Sequence, residues 1–351
     1  MKKKVIVVTV HNSENCGSYL QAYAMQKTLQ QMGYDVAFLY RDTKGTSHDR
    51  KRTWINAWAL VKHLHFRDAV ARIRQWQTYE RLQSRFQTCN IGDNFCNEAT
   101  SVVLGSDTIW NFGENYFRMT ANRLLGTKLK EKQVIGYATS VGNTSAETFR
   151  KVADMHGGID HISTLLVRDS HTQNILKDTY QRESQLVCDP TLLLQSKDYA
   201  EISSAPHTHI EHPYLLIYYF GSIPEDIRIA IQQYAQTHQM KIVSLLKRRD
   251  WCDAFISSSP CNMVSCFAGA SAVVTNTFHG CALSLIYQIP FAAHEEGKVK
   301  VKELLNTYES ADRLFTVGQN LTTILEQKLN NTELIKSLAR QSLERLKLAL
   351  A

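Results

Sequence analysis

The most informative segment of this chain reads Ala272-Val273-Val274-Thr275-Asn276-Thr277-Phe278-His279-Gly280, an apolar run that ends in polar residues and a histidine. Its beginning is typical of a buried parallel strand, and the mostly apolar residues from Gly280 onward predict a short helix. Open α/β sheets bind ligands at the carboxyl ends of their strands, so His279 is predicted to lie at a ligand site. Gly280 and the N–H groups of the helix suit an anion there. A histidine that only packs in a polar turn is the alternative.

The length and composition limit the class of protein. With 351 residues and 44% apolar content, the chain is predicted to fold as two domains. The basic amino terminus lacks the apolar run and cleavage site of a signal peptide, so we expect a first strand there. No segment approaches the roughly 18 to 20 apolar residues of a membrane span. The eight cysteines lack zinc or redox spacing, which favours reduced thiols and a cytoplasmic location.

Strands and helices alternate along the chain. Strands are predicted at 5–10, 35–40, 101–105, 134–140 and 162–167, and a second series at 214–220, 241–246 and 272–274. This alternation predicts an α/β protein of two Rossmann-like, doubly wound domains that face each other across a cleft. We place the first domain at residues 1–197 and the second at 205–325, joined by a linker around Ser203–Pro213. An amphipathic helix at 332–350 can cross back to the first domain.

Polar residues follow several predicted strands of the first domain, at the sheet edge where ligands bind. Asn15, Gly17 and Ser18 form a first cluster, which helix capping also explains. Ser106, Asp107 and Trp110 form a second, which a helix cap and a core tryptophan also explain. Ser140 belongs to a third, which tight packing also explains. The candidate ligand contacts in these clusters are Asn15, Gly17, Ser18, Ser106, Asp107, Trp110 and Ser140.

The remaining candidates for ligand binding are basic residues. Arg168 follows strand 162–167, where a guanidinium can bind a carboxylate or phosphate in bidentate geometry; a structural pair with Asp169 or another acid is the alternative. Lys298, Lys300 and Lys302 can bind a phosphate as point charges or lie on an exposed helix face.

One basic segment accounts for the charge of the chain. Residues 50–85 hold nine Lys or Arg against two acidic residues, an excess equal to the net charge of +7. Three tryptophans in this segment make it similar to a basic amphipathic helical pair, which can contact anionic lipid or a phosphorylated substrate. An ordinary solvated helix face is the alternative. No nucleic-acid-binding motif accompanies the charge, so we expect no nucleic acid partner.

Several enzyme classes lose support because their motifs are absent. The sequence contains no Walker loop, no Gly-x-Gly-x-x-Gly, no Gly-x-Ser-x-Gly and no His-Glu-x-x-His. Nucleotide hydrolysis, serine hydrolase chemistry and zinc proteolysis are therefore disfavoured, and we predict no metal site.

Six segments, in their order along the chain, resemble a known family. They are Asn15-Cys16-Gly17-Ser18-Tyr19-Leu20-Gln21-Ala22-Tyr23-Ala24, Gly105-Ser106-Asp107 through Trp110-Asn111, Tyr137-Ala138-Thr139-Ser140-Val141-Gly142, Val167-Arg168-Asp169, Asp189-Pro190-Thr191-Leu192-Leu193 and Thr277-Phe278-His279-Gly280. Over nearly the whole chain they resemble the polysaccharide pyruvyl transferase family. The chain departs from the family pattern at Thr277 (usually serine), Thr108 (commonly glutamine) and Asp169 (commonly glutamate).

The resemblance implies a GT-B-like fold and a ketal-forming reaction. Such enzymes move the enolpyruvyl unit of phosphoenolpyruvate onto a sugar of a polysaccharide or its lipid-linked precursor and release phosphate. It implies phosphoenolpyruvate as co-substrate without a further cofactor, and the roles fall on His279, Arg168 and Lys298, with Thr277 and Gly280 beside the substrate. Arg168 and Lys298 would hold the donor, and His279 would protonate its methylene carbon or stabilise the departing phosphate.

The resemblance implies that the first domain binds the acceptor sugar and the second binds the donor phosphoenolpyruvate. His279 and Arg168 are then expected to face each other across an anion-sized gap. If the acceptor is lipid-linked, residues 50–85 are expected to contact the inner face of the membrane peripherally. Two alternatives stay open: a GT-B glycosyltransferase that uses a nucleotide sugar, and a non-catalytic sugar-binding protein of the same fold.

Overall fold

The computed structural model describes residues 2–40, 66–203, 210, 213–294, 296, 297 and 299–351. They divide into two compact units. Unit 1 contains residues 2–40, Glu80–Leu194 and Ser337–Ala351, and unit 2 contains residues 66–79 and the described residues of Gln195–Lys336.

Unit 1 is built on a seven-stranded parallel sheet with the strand order β3-β2-β1-β4-β5-β6-β7. Strands β1 and β4 pair with Val5 opposite Ser101. The strand order reverses between them, and such a switch point is where doubly wound sheets bind ligands. The strands are β1 Lys4–Val8, β2 Asp35–Leu39, β3 Thr88–Cys89, β4 Ser101–Leu104, β5 Gln133–Thr139, β6 Ile162–Val167 and β7 Gln185–Leu186.

The central strands of this sheet are continuous buried apolar runs, because helices pack on its faces. Two short 3-10 helices lie at Thr127–Leu129 and Pro190–Leu193. The α-helices up to residue 194 are α1 Cys16–Gln31, α2 Phe66–Gln83, α3 Asn94–Glu98, α4 Asn115–Met119, α5 Ala121–Leu124, α6 Ala146–Met155 and α7 Ser170–Tyr180.

Side-chain caps begin the helices that follow three strands of unit 1. Asn15 caps α1, Asp169 caps α7 and Ser145 caps α6, each accepting from a backbone N–H of the first turn. Thr144 lies one residue before the cap of α6. Thr144 Oγ1 instead donates to Asn111 Oδ1 at 2.8 Å, so it links two loops rather than capping a helix.

Unit 2 repeats the same architecture. Its six-stranded parallel sheet has the order β10-β9-β8-β11-β12-β13, with Val273 opposite Leu216 where the order reverses between β8 and β11. Two 3-10 helices lie at Ser196–Ile202 and Ala311–Arg313. The strands are β8 Tyr214–Tyr218, β9 Lys241–Leu245, β10 Ala254–Ile256, β11 Ala272–Thr275, β12 Phe291–His294 and β13 Leu314–Phe315. The helices are α8 Glu225–Thr237, α9 Pro260–Gly269, α10 Phe278–Tyr287, α11 Val299–Thr307, α12 Leu321–Glu326 and α13 Thr332–Leu350.

The last helix, α13, has the bounds that the sequence predicts. Its carboxyl-terminal part belongs to unit 1. Ser342 Oγ accepts from the backbone N–H of Cys188 at 3.0 Å, and the carbonyl of Ala349 accepts from Gln133 Nε2 at 2.9 Å. These bonds attach the end of the chain to β5 and to the segment after β7.

The basic segment 50–85 is only partly described. Residues 50–65, which include Trp54 and Trp58, lie outside the described residues, and helix α2 accounts for residues 66–83. On α2 the side chains of Tyr79 and Leu82 are buried. Among the helices that the structure describes, none combines the length and the hydropathy needed to cross a membrane.

Candidate functional site

His279 lies at the switch point of the unit 2 sheet. Helix α10 begins at Phe278, two residues earlier than predicted, so His279 is in its first turn. The imidazole is half-buried and lies edge-on to the ring of Phe278, with centroids 5.3 Å apart. Thr277 precedes the helix, and its Oγ1 accepts from the backbone N–H of Gly280 at 2.9 Å. His279 therefore lies directly after strand β11, at the positive end of a helix dipole.

Gly280 is required by close packing. A Cβ at this position would lie 2.2 Å from Thr275 Oγ1 and 2.6 Å from Thr277 Oγ1. The glycine lets the turn between β11 and α10 fold tightly against two threonine hydroxyls, which holds the backbone of His279 in place.

We expect Gly280→Ala to lower the free energy of unfolding by about 1–3 kcal/mol, because the added methyl group overpacks this turn. Urea denaturation measures the change. Gly113→Ala is the matched control, since its Cβ would meet Asn111 Oδ1 and Thr144 Oγ1 at 3.5 Å, an ordinary contact. Equal stability of the two variants would show that the turn relaxes without cost.

Asn276 joins the ends of neighbouring strands beside His279. Its Oδ1 accepts from the backbone N–H of Phe220, and its Nδ2 donates to the carbonyl of Phe220, both at 2.9 Å. Nδ2 also donates to Glu296 Oε2 at 2.7 Å. Asn276 is fully buried, so these bonds satisfy polar atoms that water does not reach. One side chain thus ties the loops after β8 and β12 to the turn that carries His279.

Glu296 receives a second buried donor. Tyr219 Oη donates to Glu296 Oε1 at 2.7 Å, and burial, followed by this hydrogen bond and the charge of Glu296, raises the pKa of Tyr219. The phenol therefore keeps its single proton. Because that proton is donated to Glu296, the short hydrogen bond between Tyr219 Oη and His294 Nδ1 has the phenol oxygen as acceptor. His294 Nδ1 lies 3.4 Å from Glu296 Oε1. A Tyr–His–Glu cluster thus anchors the loop after β12.

Four of the predicted site residues lie together at the switch point of unit 1. Asn15 Oδ1 accepts from the backbone N–H groups of Gly17 and Ser18, so the predicted capping role of Asn15 is confirmed. Ser18 Oγ donates to Asp107 Oδ2 at 2.9 Å. The loops after β1 and β4 therefore meet, and the side chain of Asp107 stays 18% exposed at their junction.

Asp107 has an unusual backbone conformation. Its φ is 74°, in the left-handed region that few non-glycine residues adopt, and such residues cluster at functional sites. The residue two positions before it, Gly105, has φ 109°, and a Cβ there would lie 2.2 Å from the carbonyl of Tyr137. The strand end is thus shaped to present the Asp107 carboxylate.

Three other candidates of unit 1 are buried in its packing. Ser106 Oγ donates to Gln21 Oε1 at 2.7 Å, and Ser140 Oγ accepts from the Gly142 N–H at 3.0 Å. Trp110 is fully buried, its Nε1 donates to the carbonyl of Leu124, and its ring packs on Phe149. Trp110, a candidate ligand contact, is thus a core residue, which is the structural explanation that the sequence left open.

Arg168 has an acidic partner that the sequence left unidentified. Its Nη1 bonds to Asp189 Oδ2 at 3.1 Å and lies 3.9 Å from Asp107 Oδ1, and the side chains of Arg168 and Asp189 are 5% and 0% exposed. Burial alone would lower the pKa of Arg168, but Asp189, Asp107 and Asp169 together raise it. Asp169 itself caps α7 through Thr172. The contact of Arg168 with a donor anion stays a prediction.

Of the three lysine candidates, the structure describes two. Lys298 lies outside the described residues. Lys300 and Lys302 are exposed in the first turns of α11. In the described ranges, no three His, Cys, Asp or Glu side chains are arranged to hold a metal ion.

Sequence reasoning did not select Asp189, Asn276, Tyr219, His294 or Glu296. Asp189 and Asn276 lie within segments that were singled out, so a polar residue next to a chosen one was the available signal. Tyr219 and His294 carry no local signal, because Tyr219 follows an apolar strand, His294 ends another, and only the strand order of the sheet brings them together.

Comparisons with known proteins agree with this architecture. A family model described as polysaccharide pyruvyl transferase matches residues 15–293. No curated protein matches the sequence significantly.

Solved structures show the same fold over the full length of the chain. UDP-GlcNAc 2-epimerase from Methanocaldococcus jannaschii is 11% identical, with a TM-score of 0.55 over 97% of this chain and 99% of that one. The Neisseria meningitidis epimerase bound to UDP-GlcNAc is 10% identical, with a TM-score of 0.55 over 100% and 99%. The Anabaena protein HepE in complex with UDP is 8% identical, with a TM-score of 0.52 over 99% of each chain. The α/β, GT-B-like fold predicted from the sequence is therefore confirmed.

Proposed function

Because the chain belongs to the polysaccharide pyruvyl transferase family, we propose that it transfers the enolpyruvyl unit of phosphoenolpyruvate to a sugar as a pyruvate ketal. The acceptor is a sugar of a polysaccharide or of its lipid-linked precursor. The observation that supports this proposal most is the family match, which extends from the cap of α1 in unit 1 to strand β12 in unit 2.

The reaction sets clear demands on the protein. The methylene carbon of the donor takes up a proton, its C2–O bond to phosphate breaks, and two sugar hydroxyls bond to C2. Of the two hydroxyl protons, one balances the proton gained by the methylene carbon and the other leaves with phosphate. A proton donor and positive charge at the phosphate are therefore needed.

His279 fits the first demand. A half-buried imidazole in the first turn of α10 can protonate the methylene carbon, or donate a hydrogen bond to the phosphate as it departs. The dipole of α10 adds partial positive charge. The turn that carries His279 is held by Thr277 and Asn276, so the backbone that presents the imidazole is fixed.

Asp107 fits the need for a group that receives a proton from the acceptor. It lies at the unit 1 switch point, partly exposed, with Ser18 on one carboxylate oxygen and the Arg168 guanidinium 3.9 Å from the other. We assign Asp107 to the acceptor hydroxyl and Arg168 to the positioning of Asp107. Contact with the donor anion remains a proposal for both Arg168 and Lys298.

The test is a reaction of purified protein with phosphoenolpyruvate and a panel of lipid-linked and nucleotide-linked sugars. We expect phosphate release that depends on the acceptor, and a product whose mass increases by one pyruvate ketal. The same protein is incubated in parallel with UDP-sugars and the same acceptors. Consumption of a UDP-sugar without phosphate release from phosphoenolpyruvate would overturn the proposal in favour of a nucleotide-sugar enzyme.

A further inference from the structure

Arg249, which the sequence analysis did not select, reaches the switch point of unit 2. It lies after β9, and its Nη2 donates to the carbonyls of Tyr219 and Gly221, both at 3.1 Å. Its Cζ lies 5.8 Å from the centroid of the Tyr219 ring. Two carbonyls and an aromatic face therefore fix this guanidinium at the end of β8.

The charge of Arg249 has no carboxylate partner among the residues that the structure describes. Burial lowers its pKa, and the opposing effects of Cys252 and Tyr219 do not offset it. Its Nε is buried and has no hydrogen-bond partner in the described part of the chain. Arg168, in contrast, is neutralised by Asp189. A partly buried cation without a counter-ion costs free energy, which an anionic ligand would recover.

The backbone before Arg249 is strained. Leu246 has φ 89°, an outlier for a bulky residue, and it is followed by three consecutive basic residues, Lys247, Arg248 and Arg249. Ser244 Oγ donates to the carbonyl of Lys247 and closes this turn. The turn thus directs a basic loop from the end of β9 toward the end of β8.

The same strand ends carry Arg249 and His279. Arg249 binds the carbonyls of Tyr219 and Gly221, and Asn276 binds both backbone groups of Phe220 between them. Asn276 precedes His279 by three residues. One short stretch of backbone therefore connects the guanidinium to the turn that presents the imidazole.

We propose that Arg249 binds the phosphate group of the donor substrate, at the edge of unit 2 that carries His279. The identity of the donor as phosphoenolpyruvate rests on the proposed function, but the chemistry that Arg249 recognises is a phosphate, which a nucleotide also carries. The carbonyl contacts occupy Nη2 and leave Nη1 to donate to a phosphate oxygen.

The experiment measures binding of phosphoenolpyruvate, inorganic phosphate and UDP by calorimetry to wild type, Arg249→Gln and Arg249→Lys. Arg248→Gln is the matched control, because it removes the same charge one residue earlier, where the guanidinium lies 4.9 Å from the ring of Phe255. We expect Arg249→Gln to weaken binding of the phosphate ligand about 10- to 100-fold, and Arg249→Lys to weaken it less. Arg248→Gln is expected to bind as wild type does.

A folding-independent measurement accompanies the variants. Phenylglyoxal modifies arginines of the wild-type protein, and mass spectrometry locates each adduct. Phosphoenolpyruvate is expected to slow the modification of Arg249 and not that of Arg248. This result supports the proposal even where Arg249→Gln does not fold.

The outcomes separate the two proposals. Unchanged binding of phosphoenolpyruvate to Arg249→Gln, or equal losses in Arg249→Gln and Arg248→Gln, overturns the role of Arg249 while the proposed function stands. Arg249-dependent binding of UDP, with no binding of phosphoenolpyruvate to wild type, supports Arg249 as a phosphate ligand and overturns the proposed function. Absence of binding for all three anions to wild type overturns both.

Discussion

Replacement of His279 by glutamine is expected to slow phosphate release from phosphoenolpyruvate by about 10³-fold, because the amide keeps the hydrogen-bonding capacity but cannot transfer a proton. His279 is half-buried in the first turn of α10, and that turn is capped by Thr277 and tied to Phe220 by Asn276, without help from the imidazole. The variant should therefore fold with little change in stability. Phosphate release is measured at saturating donor and acceptor, so that the rate reports the chemical step.

The control for this variant is His238→Gln, another histidine of unit 2. His238 ends helix α8, where it bonds to Glu326, and it should leave the rate unchanged. A His279→Gln enzyme that retains the wild-type rate would remove the proton donor from the mechanism. A loss confined to the KM for phosphoenolpyruvate would instead assign His279 to binding, since the two roles differ in whether the rate at saturation falls.

Most of the fold follows from local patterns. Buried parallel strands are long apolar runs, and the helices between them begin at capping residues, so strand β6 and helix α13 have the bounds that the sequence predicts. The switch points follow from strand order, which the alternation of strands and helices restricts strongly. Helix α10 begins earlier than predicted because Thr277, rather than a residue nearer Gly280, provides the cap.

The pairing of side chains could not be predicted in the same way. Arg168 and Asp189 are 21 residues apart, and the sequence alone offered Asp169 as an equally good partner. Only the fold shows that Asp169 is already used as the cap of α7. The role of Trp110 could not be predicted from its local sequence either. An indole after a strand can bind a ligand or pack in the core. The contacts that decide between the two come from Leu124 and Phe149, elsewhere in the chain. The predicted gap between His279 and Arg168 concerns two different units and stays a prediction.

The second large effect is expected at Asp189. Replacement by alanine should lower the free energy of unfolding by about 3–5 kcal/mol, because it leaves the Arg168 guanidinium buried without its closest counter-charge. It also removes the acceptor of the Thr191 N–H and hydroxyl. The structure offers a control in Glu344→Ala, whose carboxylate pairs with Lys347 Nζ at 3.2 Å while both side chains are exposed, so its loss should cost less than about 1 kcal/mol.

A double substitution tests the physical cause of this loss. Because the pKa of Arg168 in the wild type is raised above its ordinary value, the contribution of its charge to wild-type stability is fully present at every pH below that ordinary value and should not change between pH 6 and pH 9. Arg168→Met combined with Asp189→Leu removes both charges and should recover part of the stability, as buried ion pairs replaced by apolar residues often do. If the double variant is no more stable than Asp189→Ala, the loss comes from the Thr191 cap instead of the unpaired guanidinium. In that case Arg168 is not held in place by its charge, and its proposed role in positioning Asp107 fails with it.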